Sequence, residues 1–62
     1  MKNNIKIRRK EAGLTQEELA KMLSVTRQTI NAIENNKYNP TLELAIKIAR
    51  LLNVKVEELF LL

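Results

Sequence analysis

Thr15-Gln16-Glu17-Glu18-Leu19-Ala20 and, after four intervening residues, Val25-Thr26-Arg27-Gln28-Thr29-Ile30-Asn31 predict two short helices separated by a tight turn. Each segment contains a threonine that can accept a hydrogen bond from the first helical turn, and Thr15 with Glu18 forms a capping box. The apolar spacing turns a small set of side chains inward: Leu19, Ala20 and Leu23 in the first helix, Ile30 and Ile33 in the second. Two short helices joined by three residues are typical of a helix-turn-helix.

Three further helices are predicted around this pair. One begins at Asn3 or Asn4, runs to Ala12 and stops at Gly13; another covers residues 42–52 and stops at Asn53; a last turn covers residues 56–60. Their predicted inward side chains are Ile5, Arg9, Ala12, Leu42, Ala45, Ile48, Ala49, Leu52, Leu59 and Phe60. The sequence therefore predicts an all-α, compact five-helix bundle in a single domain of residues 1–62, with the helix-turn-helix at about 16–34 and its second helix at about 26–34.

The amino-acid inventory excludes most kinds of chemistry. The chain has no cysteine, no histidine and no aspartate, and Gly13 is its one glycine. Disulfides, zinc sites, a histidine general base and a glycine-rich phosphate loop are therefore ruled out, and we expect no enzyme, no cofactor and no metal. Because no apolar run approaches the ~20 residues of a membrane span and no secretory signal is recognisable, a cytoplasmic location is expected.

Positive charge is concentrated in one part of the chain. The net charge is +4 and the sequence pI is about 9.8. All of the excess lies in residues 1–40, because the basic and acidic residues from Thr41 onward cancel. A basic face suits a polyanion, although ordinary soluble proteins also carry such an imbalance.

The outer face of the second helix of the pair is unusual in composition. With Ile30 and Ile33 inward, a rotation of about 100° per residue turns Gln28, Asn31 and Asn35 outward. Arg27 and Thr29 flank this face. Solvated helix faces usually carry Glu and Lys, whereas Gln, Asn and Arg are the side chains that pair with base edges in the major groove. The pattern favours base readout over a merely polar surface.

The chain resembles a known family in several dispersed segments that occur in the right order. The two quoted segments, together with Ile33-Glu34-Asn35 and Asn39-Pro40-Thr41-Leu42, are similar to the Cro/C1-type (XRE) helix-turn-helix family of phage and bacterial repressors. Residues 27–31 and 36–40 are most similar to its short stand-alone members, the cytolysin-repressor-like proteins. The resemblance implies a lambda-repressor-like bundle that binds double-stranded operator DNA, usually as a homodimer. Ser24 stands where many relatives carry glycine, so a left-handed backbone there would cost about 1 kcal/mol.

The resemblance also implies roles for matching positions. Base-reading positions are matched by Arg27, Gln28 and Asn31, of which Arg27 could also contact a phosphate. Thr29 could read a base, contact a phosphate or do neither. Phosphate-contacting positions are matched by Gln16, Thr26, Lys37, Tyr38 and Asn39. Alternatives remain at three of these: Gln16 could be only a first-turn polar residue, Thr26 only a helix cap, and Tyr38 a lid on the core.

Arg9 and Glu34 are interpreted differently. Arg9 is predicted on the inner stripe of its helix and Glu34 at the edge of the inner face of its own helix. Family members resemble this arrangement with a partly buried ion pair that ties the helices together. We therefore predict a structural ion pair instead of DNA contacts.

The end of the chain is more apolar than a solvated tail. Leu51, Leu59, Phe60 and Leu61 are predicted to form a dimer interface, with extra core for a tiny domain as the alternative. The short relatives also suggest that residues near Asn3 pair with residues 60–62 as a small terminal strand pair.

Two functional hypotheses follow. The first is a sequence-specific DNA-binding transcriptional regulator, a dimeric repressor that reads a near-palindromic operator through the major groove and resides on the nucleoid when bound. The second is an antitoxin or partner-binding module whose leucine-rich surface docks another protein. No membrane association and no small-molecule ligand are expected.

Overall fold

Residues 2–61, which the computed structural model describes, form five helices and one two-stranded sheet. In chain order the elements are β1 (Lys2–Asn3), α1 (Ile5–Glu11), α2 (Gln16–Leu23), α3 (Arg27–Glu34), α4 (Leu42–Leu51), α5 (Val56–Leu59) and β2 (Phe60–Leu61). β1 and β2 are antiparallel, with Lys2 opposite Leu61 and Asn3 opposite Phe60. The predicted fold and strand pair are confirmed, except that Phe60 belongs to a strand and not to the last helix; Leu62 lies outside the described residues. Within residues 2–61 every helix is too short or too polar to cross a bilayer.

Threonines fix where three of the helices begin. Thr15, Thr26 and Thr41 each accept a hydrogen bond from the backbone N–H three residues later, at 3.0, 3.1 and 3.2 Å. The capping box is completed by the Thr15 N–H, which donates to the Glu18 carboxylate at 2.9 Å. These bonds satisfy N–H groups that lack a partner inside the helix.

Each of α1 to α4 is followed, one or two positions after its last residue, by a residue with a left-handed backbone. The φ angles are 74° at Gly13, 58° at Ser24, 60° at Asn36 and 58° at Asn53. In every case the next residue donates its N–H to the carbonyl five residues back, at 2.9 to 3.1 Å, which is the Schellman arrangement. The left-handed conformation considered for Ser24 is therefore present. In the loop after α3 only Asn36 adopts it, because Asn35 has φ −91°.

The core is built from one side of every helix. Its fully buried large side chains are Ile5, Leu19, Ile30, Ile33, Ile48 and Leu59. Two predicted core residues are exposed: Leu42 is 74% exposed and Ala12 is also exposed. Leu42 is in the first turn of α4, roughly 70° from the centre of the inner stripe. Ala12 follows the last residue of α1 and so leaves the stripe that Ile5 and Arg9 define.

Two residues assigned to a dimer interface belong instead to the core of the single chain. Leu59 is fully buried and Phe60 is 8% exposed. A second chain cannot cover surface that the first has already removed from water, so this assignment is wrong for Leu59 and leaves Phe60 very little area. Leu61 is 44% exposed and Leu51 is half-buried. The apolar tail thus supplies mainly the extra core that a small domain needs.

Candidate nucleic-acid interface

The turn between α2 and α3 sets which face of α3 reaches solvent. Only Ser24, Val25 and Thr26 separate the two helices, and Val25 packs half-buried against the core. Ile30 and Ile33 are each 1% exposed, so they hold the inner face of α3 on the bundle. The opposite face is left to water, as the helical rotation predicts.

Three of the predicted base-reading residues share this outer face. Arg27, Gln28 and Asn31 are exposed and together line one shallow cleft on α3. Thr29 is half-buried at the flank, and its hydroxyl lies 2.9 Å from that of Thr26. The Asn31 side chain is steadied from the next turn, because the Asn35 amide donates to its Oδ1 at 3.2 Å.

A second cleft adjoins the first at the start of α3. It lies between the α1–α2 turn and α3 and is lined by Arg9, Leu14, Thr15, Gln16, Glu17 and Arg27. Because Arg27 lines both clefts, they lie next to each other. The structure thereby brings Gln16 to the same face as the candidate base readers.

Below this surface lies the predicted ion pair. Arg9 Nε donates to Glu34 Oε2 at 2.7 Å and Nη2 donates to Oε1 at 3.1 Å, with the two side chains 8% and 2% exposed. The hydrogen bond to Glu34 raises the pKa of the Arg9 guanidinium; burial lowers it by less, and the negative charge of Glu34 adds to the increase. Arg9 also donates to the Leu14 carbonyl at 2.9 Å.

Gln16 joins this network from α2. Its Nε2 donates to Glu34 Oε1 at 3.0 Å, so the first residue of α2 is hydrogen-bonded to the last residue of α3. An amide nitrogen has two N–H groups, and one of them remains for a further acceptor. A side chain at the candidate interface therefore links the start of α2 to the end of α3.

The loop after α3 extends the exposed surface. Lys37, Tyr38 and Asn39 are all exposed, with Tyr38 at 48%. A lid on the core would be buried, so the structure does not support that alternative for Tyr38. The loop is positioned by the left-handed Asn36 and by the Lys37 N–H, which donates to the Ala32 carbonyl at 2.9 Å.

One contact at this end of α3 was not predicted from the sequence. The Asn3 side-chain amide donates to the Ile33 carbonyl at 2.8 Å and to Asn36 Oδ1 at 3.2 Å. Local sequence signals could not reveal it, because the partners lie 30 and 33 residues away along the chain.

The side chains of the candidate interface are suited to recognising a ligand through hydrogen bonds. Amides, one guanidinium and one ammonium offer hydrogen-bond donors and acceptors at fixed positions. Among residues 2–61 there is no cluster of three or more metal-ligating side chains.

Comparison with known proteins assigns the chain to a family. The family model described as Helix-turn-helix matches residues 5–59, which is most of the chain. The chain belongs to the XRE-type helix-turn-helix family. This XRE-type protein is thus a transcriptional regulator with a helix-turn-helix DNA-binding domain.

Relatives and solved structures agree with this assignment. An uncharacterized HTH-type transcriptional regulator of Methanocaldococcus jannaschii is 56% identical over 61 residues, which cover 98% of this chain and 92% of the relative. The restriction-modification controller protein C.AhdI from Aeromonas hydrophila superposes with a TM-score of 0.81 and 30% identity, covering 90% of this chain and 85% of that one. SinR, the master regulator for biofilm formation, solved in complex with DNA, has a TM-score of 0.77 and 35% identity, with 86% of each chain covered.

Proposed function

We propose that this XRE-type regulator is a dimeric repressor that reads a near-palindromic operator by inserting α3 into the major groove. The observation that carries the proposal is the row of Arg27, Gln28 and Asn31 on the solvent side of α3, opposite buried Ile30 and Ile33. In this arrangement the core fixes the helix, and the side chains suited to base edges point away from it.

The base readers have distinct chemical preferences. Arg27 can donate two parallel hydrogen bonds to guanine, whereas Gln28 and Asn31 can each pair with the donor and acceptor of adenine. Thr29 has a smaller part, because its hydroxyl is engaged with Thr26 and the residue is half-buried. Its methyl group remains available for contact with a thymine methyl.

Phosphate contacts would flank this face on both sides. Gln16 and Thr26 begin α2 and α3, respectively, and Lys37, Tyr38 and Asn39 follow α3. Gln16 has one N–H beyond its bond to Glu34, and Thr26 lies at the exposed start of α3. The concentration of positive charge in residues 1–40, which contain the helix-turn-helix, supports a polyanionic ligand for this part of the chain.

Dimerisation would involve the exposed parts of the C-terminal region. Leu61 lies on β2 and is 44% exposed, and Leu51 on α4 is half-buried. A two-fold dimer would present its two copies of α3 about 34 Å apart, one turn of duplex DNA. A repressor of this kind would act by occupying the operator. Because the dimer would be two-fold symmetric, a palindromic site is the expected target.

Selection from a random duplex pool tests the proposal. Repeated rounds of binding and amplification should converge on one motif with two half-sites whose centres are one helical turn apart. Sedimentation at micromolar concentration should show the mass of a dimer. A pool that stays random after selection would contradict sequence-specific binding, and a monomer by sedimentation would contradict the dimeric repressor.

A partner-binding module remains the second candidate because several large apolar side chains are exposed. Ile7, Leu42 and Leu61 are 59%, 74% and 44% exposed. Co-purification of a stoichiometric partner that is lost on substitution of Leu42 with Ser would favour this alternative.

A further inference from the structure

Asn3 connects the strand pair at one end of the chain to the end of α3. Its backbone lies opposite Phe60 in the sheet. Its side-chain oxygen accepts the Ile5 N–H at 3.1 Å, while its amide nitrogen donates to the Ile33 carbonyl at 2.8 Å and to Asn36 Oδ1 at 3.2 Å. The opposed roles of its two polar atoms define the orientation of the amide, because only nitrogen can donate and only oxygen can accept.

The acceptors on the α3 side belong to the Schellman motif that ends this helix. The Asn36 N–H donates to the Ile33 carbonyl at 3.1 Å, and the Lys37 N–H to the Ala32 carbonyl at 2.9 Å. The Ile33 carbonyl therefore accepts two hydrogen bonds, one from the motif and one from Asn3. Asn36, whose backbone is left-handed, is held by its side chain as well as by its N–H.

This junction lies between two sets of candidate DNA contacts. Asn31 on α3 precedes it, and the loop of residues 37–39 follows it. Residues 35–39 are all exposed, so burial of their side chains does little to fix the path of the loop. Exposed segments of this kind open locally at low free-energy cost unless hydrogen bonds restrain them.

We propose that Asn3 is a positioning residue for DNA binding: its side chain braces the end of α3 and thereby fixes the position of loop 37–39 relative to the base-reading face. This inference rests on the proposed function for its DNA readout. Asn3 touches no DNA in this scheme; it acts through Ile33 and Asn36. Without the brace the loop retains its sequence and charge but no longer presents Lys37 at one fixed distance from the phosphates.

The principal test compares Asn3→Ser with Asn4→Ser. A serine at position 3 keeps an oxygen that can accept the Ile5 N–H two residues on, but it is too short to reach Ile33. The control removes a different amide, that of Asn4, which donates to the Glu58 carbonyl at 3.2 Å. Both substitutions leave the net charge unchanged, so any difference between them comes from the contacts that each side chain makes.

Binding of the selected duplex is measured by fluorescence anisotropy at 10 °C, with circular dichroism on the same samples to show that each variant is folded. We expect Asn3→Ser to raise Kd about tenfold relative to Asn4→Ser, the effect of losing hydrogen bonds at the junction. The slope of log K against log salt should also become shallower by about 0.9, as for one lost phosphate contact. A residue that only stabilised the fold would change the melting temperature but not the salt slope of the folded protein. Equal Kd and equal slope in the two variants would overturn the proposal.

Amide hydrogen exchange gives a readout that needs no DNA. In Asn3→Ser the Asn36 and Lys37 N–H groups should exchange about tenfold faster than in Asn4→Ser. Equal exchange rates would contradict the proposal that the Asn3 side chain braces the end of α3. If the unsubstituted protein shows no sequence preference, the proposed function is refuted, whereas the exchange rates still decide whether Asn3 restrains the end of α3.

If Asn3→Ser does not fold, Asn36→Gly takes its place. Glycine suits the left-handed backbone and removes the Oδ1 acceptor, so a smaller increase in Kd is expected, and no increase would overturn the proposal.

Discussion

Arg9 on α1 and Glu34 at the end of α3 are joined by two parallel hydrogen bonds, Nε to Oε2 at 2.7 Å and Nη2 to Oε1 at 3.1 Å. Gln16 at the start of α2 donates to the same carboxylate at 3.0 Å. A single buried carboxylate thus ties three helices together directly below the surface that carries the candidate base readers. The stability of that surface should depend on both partners of the pair.

Removing Arg9 tests this dependence. Arg9→Ala leaves the Glu34 carboxylate, whose side chain is 2% exposed, without its cation. We expect a loss of about 3 kcal/mol in the free energy of unfolding, measured by urea denaturation at pH 7. The double variant Arg9→Met with Glu34→Leu should lose less than this, because it buries no unpaired charge.

The adjacent arginine provides the control for that prediction. Arg8 Nη1 lies 3.6 Å from Glu11 Oε1, and the two side chains are 37% and 62% exposed, respectively. An exposed pair of this kind contributes little, so Arg8→Ala should change the free energy of unfolding by no more than about 0.5 kcal/mol. Similar losses for Arg8→Ala and Arg9→Ala would show that the buried pair has no special structural part.

Ser24 is the position where glycine should be preferred. Its φ of 58° is left-handed, a conformation in which a side chain costs on the order of 1 kcal/mol. Ser24→Gly should therefore raise the free energy of unfolding by roughly 1 kcal/mol, seen as a higher melting temperature. The reverse change, Gly13→Ser, should lower it by a similar amount through φ 74° alone, since a Cβ there meets nothing within 4 Å. A lower melting temperature for Ser24→Gly would contradict this account of the turn.

Glu18 should make stability depend on pH in the acid range. The hydrogen bond from the Thr15 backbone N–H lowers the pKa of this carboxylate, and the Thr15 hydroxyl and the charge of Lys21 act in the same direction. Since the pKa of Glu18 in the folded protein is below its ordinary value, the stabilisation is complete above that ordinary value and is lost as the pH falls through the folded pKa. Melting temperatures of Glu18→Gln between pH 2 and 6 should decline less steeply on acidification than those of the unsubstituted protein.

Glu17→Gln makes the same change of charge one residue earlier and serves as the control. The Thr15 N–H donates to Glu18 and not to Glu17. If both glutamine variants altered the acid dependence equally, net charge and not the capping box would be responsible.

Local signals were enough to predict most of the fold. Thr15 and Thr26 mark the helix starts through bonds to residues three positions away, and Gly13 marks a helix end by its backbone freedom. The outer face of α3 followed from two buried isoleucines and a fixed rotation per residue. Such features depend on neighbours within one helical turn, which is why a sequence displays them.

Failures and omissions occurred where distant parts of the chain meet. Leu42 has a position on the helical wheel close to the core stripe, but no packed neighbour covers it, and it is 74% exposed. Leu59 is predicted both as an inward side chain and as part of a dimer interface, and the structure buries it fully within the single chain. The side-chain contacts of Asn3 with Ile33 and Asn36 gave no sequence signal, since these partners are distant along the chain. Helical periodicity predicts the direction of a side chain but not which residues from other parts of the chain pack against it.

Gln28 and Lys37 should separate base readout from phosphate contact. Both are exposed, Gln28 within the cleft on α3 and Lys37 in the loop beyond it. Gln28→Ala removes a side chain proposed to pair with a base edge, so discrimination at one base pair of each half-site should fall by about 1–3 kcal/mol. Lys37→Ala removes a charge that any sequence can use, so all duplexes should bind more weakly by a similar factor and the salt slope should decrease by about 0.9. Selection and salt titration on both variants measure the two effects side by side. An unchanged selected motif for Gln28→Ala would show that this glutamine, although it faces outward, does not read the operator.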